Sequence, residues 1–570
     1  MNRPLSIFGR YAEMLWHRLS HIFSADIGNG STLVFTQLDF WLFFLLVMVF
    51  FSFLHKQKLV RSIYLTVISL FFFYKTSGLY FLLLIVSVTV NYFLGKKIYK
   101  SQVKRTQKWI IAFTVIFNLL ILGYFKYAYF FTDSFNKMFD THYRIYNVFA
   151  HFANTWAGQG SFVEKILLPV GVSFFTFQNI SYVVDVYRKE IKPVSNFFHY
   201  SFFVTFFSQL VMGPIVRARD FIPQIASNFK ISKEEFSWAV IQIVKGLIKK
   251  IVIADFLVLH FIDKIVFTPE TYPGFVSILA MWAYSLHIYA DFSGYTDIAI
   301  GLSMLMGFRL KPNFNSPYKA RSVAEFWRRW HMSLGSWLRD YLYIPLGGNR
   351  TGTRGSYIAI VVIFIFLIFI TRWYTLLWLY GIFVWVYLIG WMFIPGFKRL
   401  LHRDLNLLIT MVLGGLWHGA SQNFVMWGAM NGIALIIYKY WRKISFYENS
   451  NRWYAHLWKV FLTFNFITFT RIWFKLADDG LPQRMLTQIA QHFNFSWDAL
   501  VQILSTYQAV FWIMLFGFIV HWLPDSVKKL WEKAFTRLSL PLQAVAVSII
   551  VFLLYQAVGA ESAPFVYLQF

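Results

Sequence analysis

The chain has 570 residues, of which 58% are hydrophobic, 21% aromatic and 14% charged. An average globular protein is about 45–50% apolar and about 25% charged. The 53 basic and 26 acidic side chains are too few to cover the several soluble domains such a length would need. Disordered and collagen-like chains are excluded, a nucleic-acid binder is disfavoured, and an all-α polytopic membrane protein is expected.

The net charge of +27 comes from basic residues clustered in short loops between apolar runs, as the positive-inside rule requires. The sequence has no cysteine, which rules out disulfides, thiolate metal sites and acyl-cysteine intermediates.

Residues 1–35 read as an amphipathic helix in the membrane interface. Ile7, Phe8, Tyr11, Met14, Leu15, Leu19 and Ile22 recur at helical spacing, with Arg10, Glu13, His17, Arg18 and His21 opposite them. No continuous apolar h-region of a cleavable signal is evident there. From residue 36 to 570 the chain reads as a single transmembrane domain. Its apolar runs include 40–54, 62–74, 76–95, 109–125, 166–184, 194–216, 271–290, 355–371, 373–397, 405–438, 499–524 and 538–560. With about 20 residues needed per span, roughly 11–13 helices are expected, several of them tilted, short or re-entrant.

Lysine and arginine clusters at 55–61 and 95–108 place those loops in the cytoplasm and the amino terminus outside. Residues 309–354, with nine basic and two acidic side chains, also read as cytoplasmic. Matching these sides requires at least one run between 166 and 308 to be re-entrant or interfacial.

Residues 405–438 form a stretch of 34 without Asp, Glu, Lys or Arg. As one helix it would be about 51 Å long, against a hydrocarbon core of about 30 Å. Basic residues flank both ends, so the segment should enter the membrane, break and return. The break is expected at Gly414-Gly415 or Gly419, beside His418. An intramembrane histidine marks function by default, and a neutral imidazole suits general-base work on a hydroxyl. Packing is the competing explanation, because Gly415–Gly419 and Gly428–Gly432 both fit G-x-x-x-G.

A second constellation runs from Ser322 to Asp340. Ser322 and Glu325 form a capping box that starts a helix, on which Trp327 and His331 are neighbours at i,i+4. Arg328, Arg329, Trp330 and Trp337 belong to the same stretch. Arginines with aromatic rings suit a nucleotide or phosphorylated ligand; an interfacial tryptophan belt with positive-inside arginines fits the same residues.

Asp291 and Asp297 end another apolar run. Their i,i+6 spacing is poor for a shared metal, so they are expected to receive hydrogen bonds or to pair with nearby arginines, and no metal site is assigned. The polar knot from Gly213 to Asp220 reads as structural. P-loop, H-E-x-x-H, G-x-S-x-G and Rossmann motifs are absent, so the chemistry should be intramembrane.

At these motifs the sequence resembles the membrane-bound O-acyltransferase (MBOAT) family. It is most similar to the bacterial branch of alginate O-acetylation and less so to that of D-alanyl transfer to lipoteichoic acid. The carrying residues are Leu168 to Gln178, Tyr182 to Arg188, Gly213 to Arg217, Asp291 to Asp297, Asn313 to Tyr318 and Glu325 to His331. Trp337 to Arg350, Leu416 to Gly419 and Phe565 to Phe570 complete them, with the motif core at about 168–440.

The resemblance implies tilted helices around a central tunnel. It also implies acyl transfer from a cytoplasmic thioester to a hydroxyl reached from the other side. His418 would act as base or brief acyl carrier, and His331, Arg328 and Arg329 would hold the donor. Trp327, Trp330 and Trp417 would line the site, and Asn313, Asn315, Tyr318 and Asp340 would support it.

Acetyl-CoA is the expected donor substrate, with no bound cofactor. The expected acceptor is an extracytoplasmic polysaccharide or cell-wall polymer, served through a separate extracytoplasmic partner, and the expected location is the bacterial inner membrane. A D-alanyl or other acyl donor on a carrier protein is the rival within the family. A transporter, flippase or secretion scaffold is the rival outside it.

Overall fold

The computed structural model describes residues 13, 16, 18–20, 22, 23, 33–157, 163–210, 213–350, 352–371, 375–394, 396–476 and 480–557. Most of the expected amino-terminal helix and all of the 565–570 motif lie outside these residues. Those described between 13 and 23 are helical: Ile22 is buried, Trp16 is exposed, and Arg18 pairs with Asp39 at 2.8 Å.

All regular structure among the described residues is helical. Lys58–Lys100, Lys104–Phe139 and Gly274–Leu305 are long and apolar enough to cross a membrane. Two further pairs are bent, Trp497–Thr506 with Gln508–Trp522 by 87° and Asp525–Arg537 with Leu540–Gln556 by 120°. Apolar length is otherwise divided among shorter helices. Between 166 and 216, for example, the helices are Val172–Tyr187, Phe197–Thr205 and Phe207–Leu210. The longest has 16 residues, about 24 Å, less than a hydrocarbon core. None of these three is long enough to cross such a core as a straight helix.

Gly274–Leu305 is the buried centre of the molecule. It packs on Lys233–Ile248 at a glycine contact, where a Cβ on Gly294 would lie 2.8 Å from the Gly246 carbonyl oxygen. Beyond that contact the second helix continues as a π-helical stretch, Lys249–Asp255. Lys249 meets Asp297 at 2.6 Å, and the wholly buried Lys250 meets Asp291 and Asp255 at 2.7 Å each. Both carboxylates thus pair with lysines rather than with the expected arginines. The lysines follow directly from the glycine seam, where the two backbones come closest.

The long uncharged segment is a broken hairpin. Phe397–His418 runs in, Gly419 is extended (φ −165°), and Gln422–Ile444 runs back with Ser421 as its N-cap. Of the possible break points, Gly419 is the one used, and His418 is the last helical residue. The glycine motifs also have their packing role: a Cβ on Gly415 would lie 2.9 Å from Gly428 Cα, and one on Gly432 would lie 2.9 Å from Leu408 Cδ1. Close backbone approach through small residues is how helices associate in lipid.

Candidate active site at the helix break

His418 is the last residue of its helix, at the break of the hairpin, and is 3% exposed. Its ring is enclosed by Trp417, Trp427 and Phe474, with centroids 5.0, 5.2 and 5.3 Å away. The His331 ring, 1% exposed, lies 6.4 Å from it and packs edge-on against Phe292 at 4.7 Å. The two histidines, 87 positions apart in sequence, share one site.

His331 reaches that site by a route the helical spacing does not predict. Ser322 caps the helix through Glu325 N–H at 3.1 Å, but the Glu325 carboxylate accepts from Arg321 N–H, so only half of the capping box forms. The helix ends after Val323–Arg329, His331 takes a left-handed backbone (φ 43°), and Met332–Leu338 begins a new helix. The expected continuous helix with Trp327 and His331 on one face is therefore corrected. Left-handed backbone is uncommon outside glycine and asparagine and points to functional constraint.

Asn313 stabilises the kink. Its carbonyl accepts from Met332 N–H at 2.9 Å, and its side-chain oxygen accepts from Ser333 N–H at 3.0 Å and Ser333 Oγ at 2.9 Å. It thus caps the helix that His331 leaves uncapped.

Among the described residues, two cavities adjoin His418. One, of about 290 Å³, is lined by both histidines, Trp327 and Trp427, and extends to Arg339, Tyr343 and Leu407. The other, of about 10 Å³, has room for about one water and is lined by His418, Trp327, Trp330, Trp427, Asn431 and Arg471. Trp327, His418 and Trp427 belong to both walls. Trp327 and Trp427 meet edge-on at 5.5 Å.

The remaining expected residues divide between this centre and its supports. Trp417 rests on Phe177 at 5.5 Å, and Phe177 stacks on Trp337 at 3.7 Å. Trp330 lies under the Arg471 guanidinium at 4.7 Å, and Tyr318 donates to the Ser285 carbonyl.

Arg328 and Arg329 do not line the histidine cavity. With Asn315, Arg321, Glu325, Tyr438 and Lys459 they line a separate polar pocket of about 600 Å³. Arg329 pairs there with Glu325 at 2.8 Å and donates to the Asn315 carbonyl at 3.1 Å.

Asp340 is the hub of an ion-pair knot, with Arg217 at 2.5 Å, Arg339 at 2.7 Å and Arg219 at 3.7 Å. Burial opposes its charge, but hydrogen bonds from Arg339 and Arg217 hold its carboxyl below the ordinary carboxylate range. Tyr341 donates to Asp185 at 2.6 Å and Arg188 to the Asp340 carbonyl at 3.0 Å. The Tyr182 to Arg188 and Gly213 to Arg217 motifs are thereby tied to Asp340, the neighbour of the cavity-lining Arg339.

Sequence reading missed Arg339, Arg471, Trp427 and Phe474 as neighbours of the histidines. It also missed Lys126, whose ammonium reaches the end of the His418 helix. A signal for Lys126 was present, as a lone cation between the apolar run 109–125 and the aromatic residues that follow it. Among the described residues no group of three or more His, Asp or Glu side chains is placed to hold a metal.

An all-helical membrane chain with paired histidines at a helix break matches known proteins over most of its length. Residues 187–394 match the profile of MBOAT, the membrane-bound O-acyltransferase family. A probable alginate O-acetylase AlgI of Pseudomonas syringae pv. tomato is 36% identical over 411 residues, 71% of this chain and 66% of that protein. A peptidoglycan O-acetyltransferase of Helicobacter pylori is 30% identical over 450 residues, 74% of this chain and 72% of the relative. A teichoic acid D-alanyltransferase of Bacillus subtilis is 25% identical over 314 residues, 54% and 68% of the two lengths. The chain belongs to the membrane-bound O-acyltransferase family.

Proposed function

We propose that this chain transfers an acetyl group from acetyl-CoA, bound from the cytoplasm, to a hydroxyl presented from the other face of a bacterial inner membrane. The product is O-acetylation of an extracytoplasmic polysaccharide or cell-wall polymer, completed through a separate extracytoplasmic partner. The amino terminus lies outside in this arrangement. The observation that carries the reading is the position of His418, buried at a helix break and forming a wall common to two cavities.

The larger cavity takes the donor thioester. Its lining includes Arg339, from the strongly basic 309–354 segment. The polar pocket with Arg321, Arg328, Arg329 and Lys459 suits an anionic head group, and it shares the short Trp327-bearing helix with that cavity. The smaller cavity, lined by Arg471 and Asn431, has room for the acceptor oxygen against the imidazole.

His418 takes the hydroxyl proton as the new C–O bond forms and the thioester C–S bond breaks, and the proton passes on to the departing sulfur. His331 orients the donor beside it. The Pseudomonas and Helicobacter relatives, named as a probable O-acetylase and an O-acetyltransferase, support the acetyl assignment.

Purified protein given labelled acetyl-CoA together with candidate partner proteins and acceptors tests the reading, with His418→Ala as the control. Label should reach the acceptor hydroxyl only with the wild type. Full transfer by His418→Ala would sink the catalytic assignment. The Bacillus relative supports a second donor class, an acylated carrier protein. Transfer from such a carrier but not from CoA would establish that class instead.

A further inference from the structure

An α-helix ends with four carbonyls that lack intrahelical partners, and in a membrane no water is at hand to satisfy them. The His418 helix ends at such a place, because Gly419 is extended and does not turn back to cap it. Two consecutive side chains from a distant segment take over. Lys126 Nζ donates to the Trp417 carbonyl at 2.6 Å and to the His418 carbonyl at 3.1 Å. The Tyr127 hydroxyl donates to the Leu416 carbonyl at 2.7 Å.

Successive residues of a regular helix point about 100° apart, which disfavours two neighbours converging on one target. Here the segment Gly123–Tyr127 is π-helical, a local widening found mostly at functional sites. The ammonium also lies 5.8 Å from the centre of the Trp417 ring. A cation at a helix carboxy terminus is favoured by the helix dipole, and hydrogen bonds from a charged donor are about twice as strong as neutral ones.

We propose that Lys126 is a positioning residue for His418: with Tyr127 it clamps the last three carbonyls of the helix and so fixes the imidazole between the two cavities. This inference rests on the catalytic reading of His418. Lys126 is not itself a lining residue of either cavity and reaches them only through the His418 backbone, so its contribution lies in the geometry of the base and not in holding the donor.

The test compares Lys126→Met, Lys126→Arg, Tyr127→Phe and His418→Ala in the labelled acetyl-transfer assay, with thermal midpoints in detergent. Lys126→Met should lower kcat about 10- to 100-fold, as expected for a displacement of about 1 Å. Its KM for the acyl donor should stay within about twofold of wild type. Lys126→Arg, which keeps a charged donor, should recover most of that loss. Tyr127→Phe removes one oxygen and should lower kcat less than about 10-fold, which keeps the proposal testable should Lys126→Met not fold.

Wild-type turnover by Lys126→Met beside an inactive His418→Ala would overturn the proposal. So would a donor KM that rises as far as kcat falls in both variants, the mark of general distortion. An active His418→Ala would instead overturn the catalytic reading on which the proposal rests.

Discussion

Replacing Gly415 by alanine tests whether the closeness of the hairpin sets the position of His418. The added methyl would lie 2.9 Å from Gly428 Cα and 3.1 Å from Gly428 N, and would collide with the Phe424 carbonyl oxygen. Carbon atoms rest about 3.5–4.0 Å apart, so the helices must separate by about 0.6–1 Å. The atoms opposite are backbone, and no rotamer change can absorb the overlap. Overpacking of this kind costs about 1–3 kcal/mol. Gly415 lies less than one turn before His418, so the displacement reaches the imidazole, where about 1 Å costs about 100-fold in rate. Labelled acetyl transfer by purified protein should therefore show kcat falling about 10- to 100-fold with a lowered melting midpoint. Gly381→Ala is the control, since a Cβ there meets nothing within 4 Å. Turnover by Gly415→Ala within about twofold of wild type would refute the reasoning.

The buried lysine between two carboxylates makes an ordered prediction. Lys250→Met leaves Asp255 and Asp291 without their common cation and should destabilise the protein by about 3–5 kcal/mol. Asp255→Asn leaves a balanced Lys250–Asp291 pair and should cost clearly less; equal losses in detergent melting would contradict the assignment. Asp340 supplies a pH dependence. Its carboxyl is held low in the folded state, so its contribution is complete above the ordinary aspartate value of about 3.9 and is lost as pH falls through the lower folded value. Asp340→Asn should melt lower than wild type at neutral pH, and the gap should narrow progressively as pH falls below the ordinary aspartate value of about 3.9. A gap of unchanged size there would count against the ion-pair knot.

The membrane class, the break in the 405–438 segment and the histidine inside it were legible because each follows from counting. A span has a fixed length, and too many uncharged residues must bend. The meeting of His331 with His418 was not legible from spacing, since it depends on a left-handed residue and on Asn313 capping a helix from outside. The partners of Asp291 and Asp297 were misjudged as arginines because nothing local says which face of the neighbouring helix carries Lys249 and Lys250. A π-helical stretch sets that register, and it leaves no period-based trace. Arg328 and Arg329 were expected beside His331, yet the helix ends at Arg329 and the two arginines line a pocket apart from the histidines. Lys126 shows the limit most clearly, as its partners lie 291 and 292 residues later in the chain.

That separation has a cost in time. A chain made at roughly 5–20 residues per second needs about 15–60 s to pass from Lys126 to His418. Throughout that interval the ammonium belongs to a segment apolar enough to insert, while the carbonyls that will receive it do not yet exist. A lysine at the bilayer centre costs about 2.5–3.5 kcal/mol on insertion scales, so the segment around 123–139 has reason to stay shallow or to hold water until the hairpin arrives. The final seating of one membrane helix is thus deferred to the synthesis of another, and the end of the His418 helix is secured by a residue made almost 300 positions earlier.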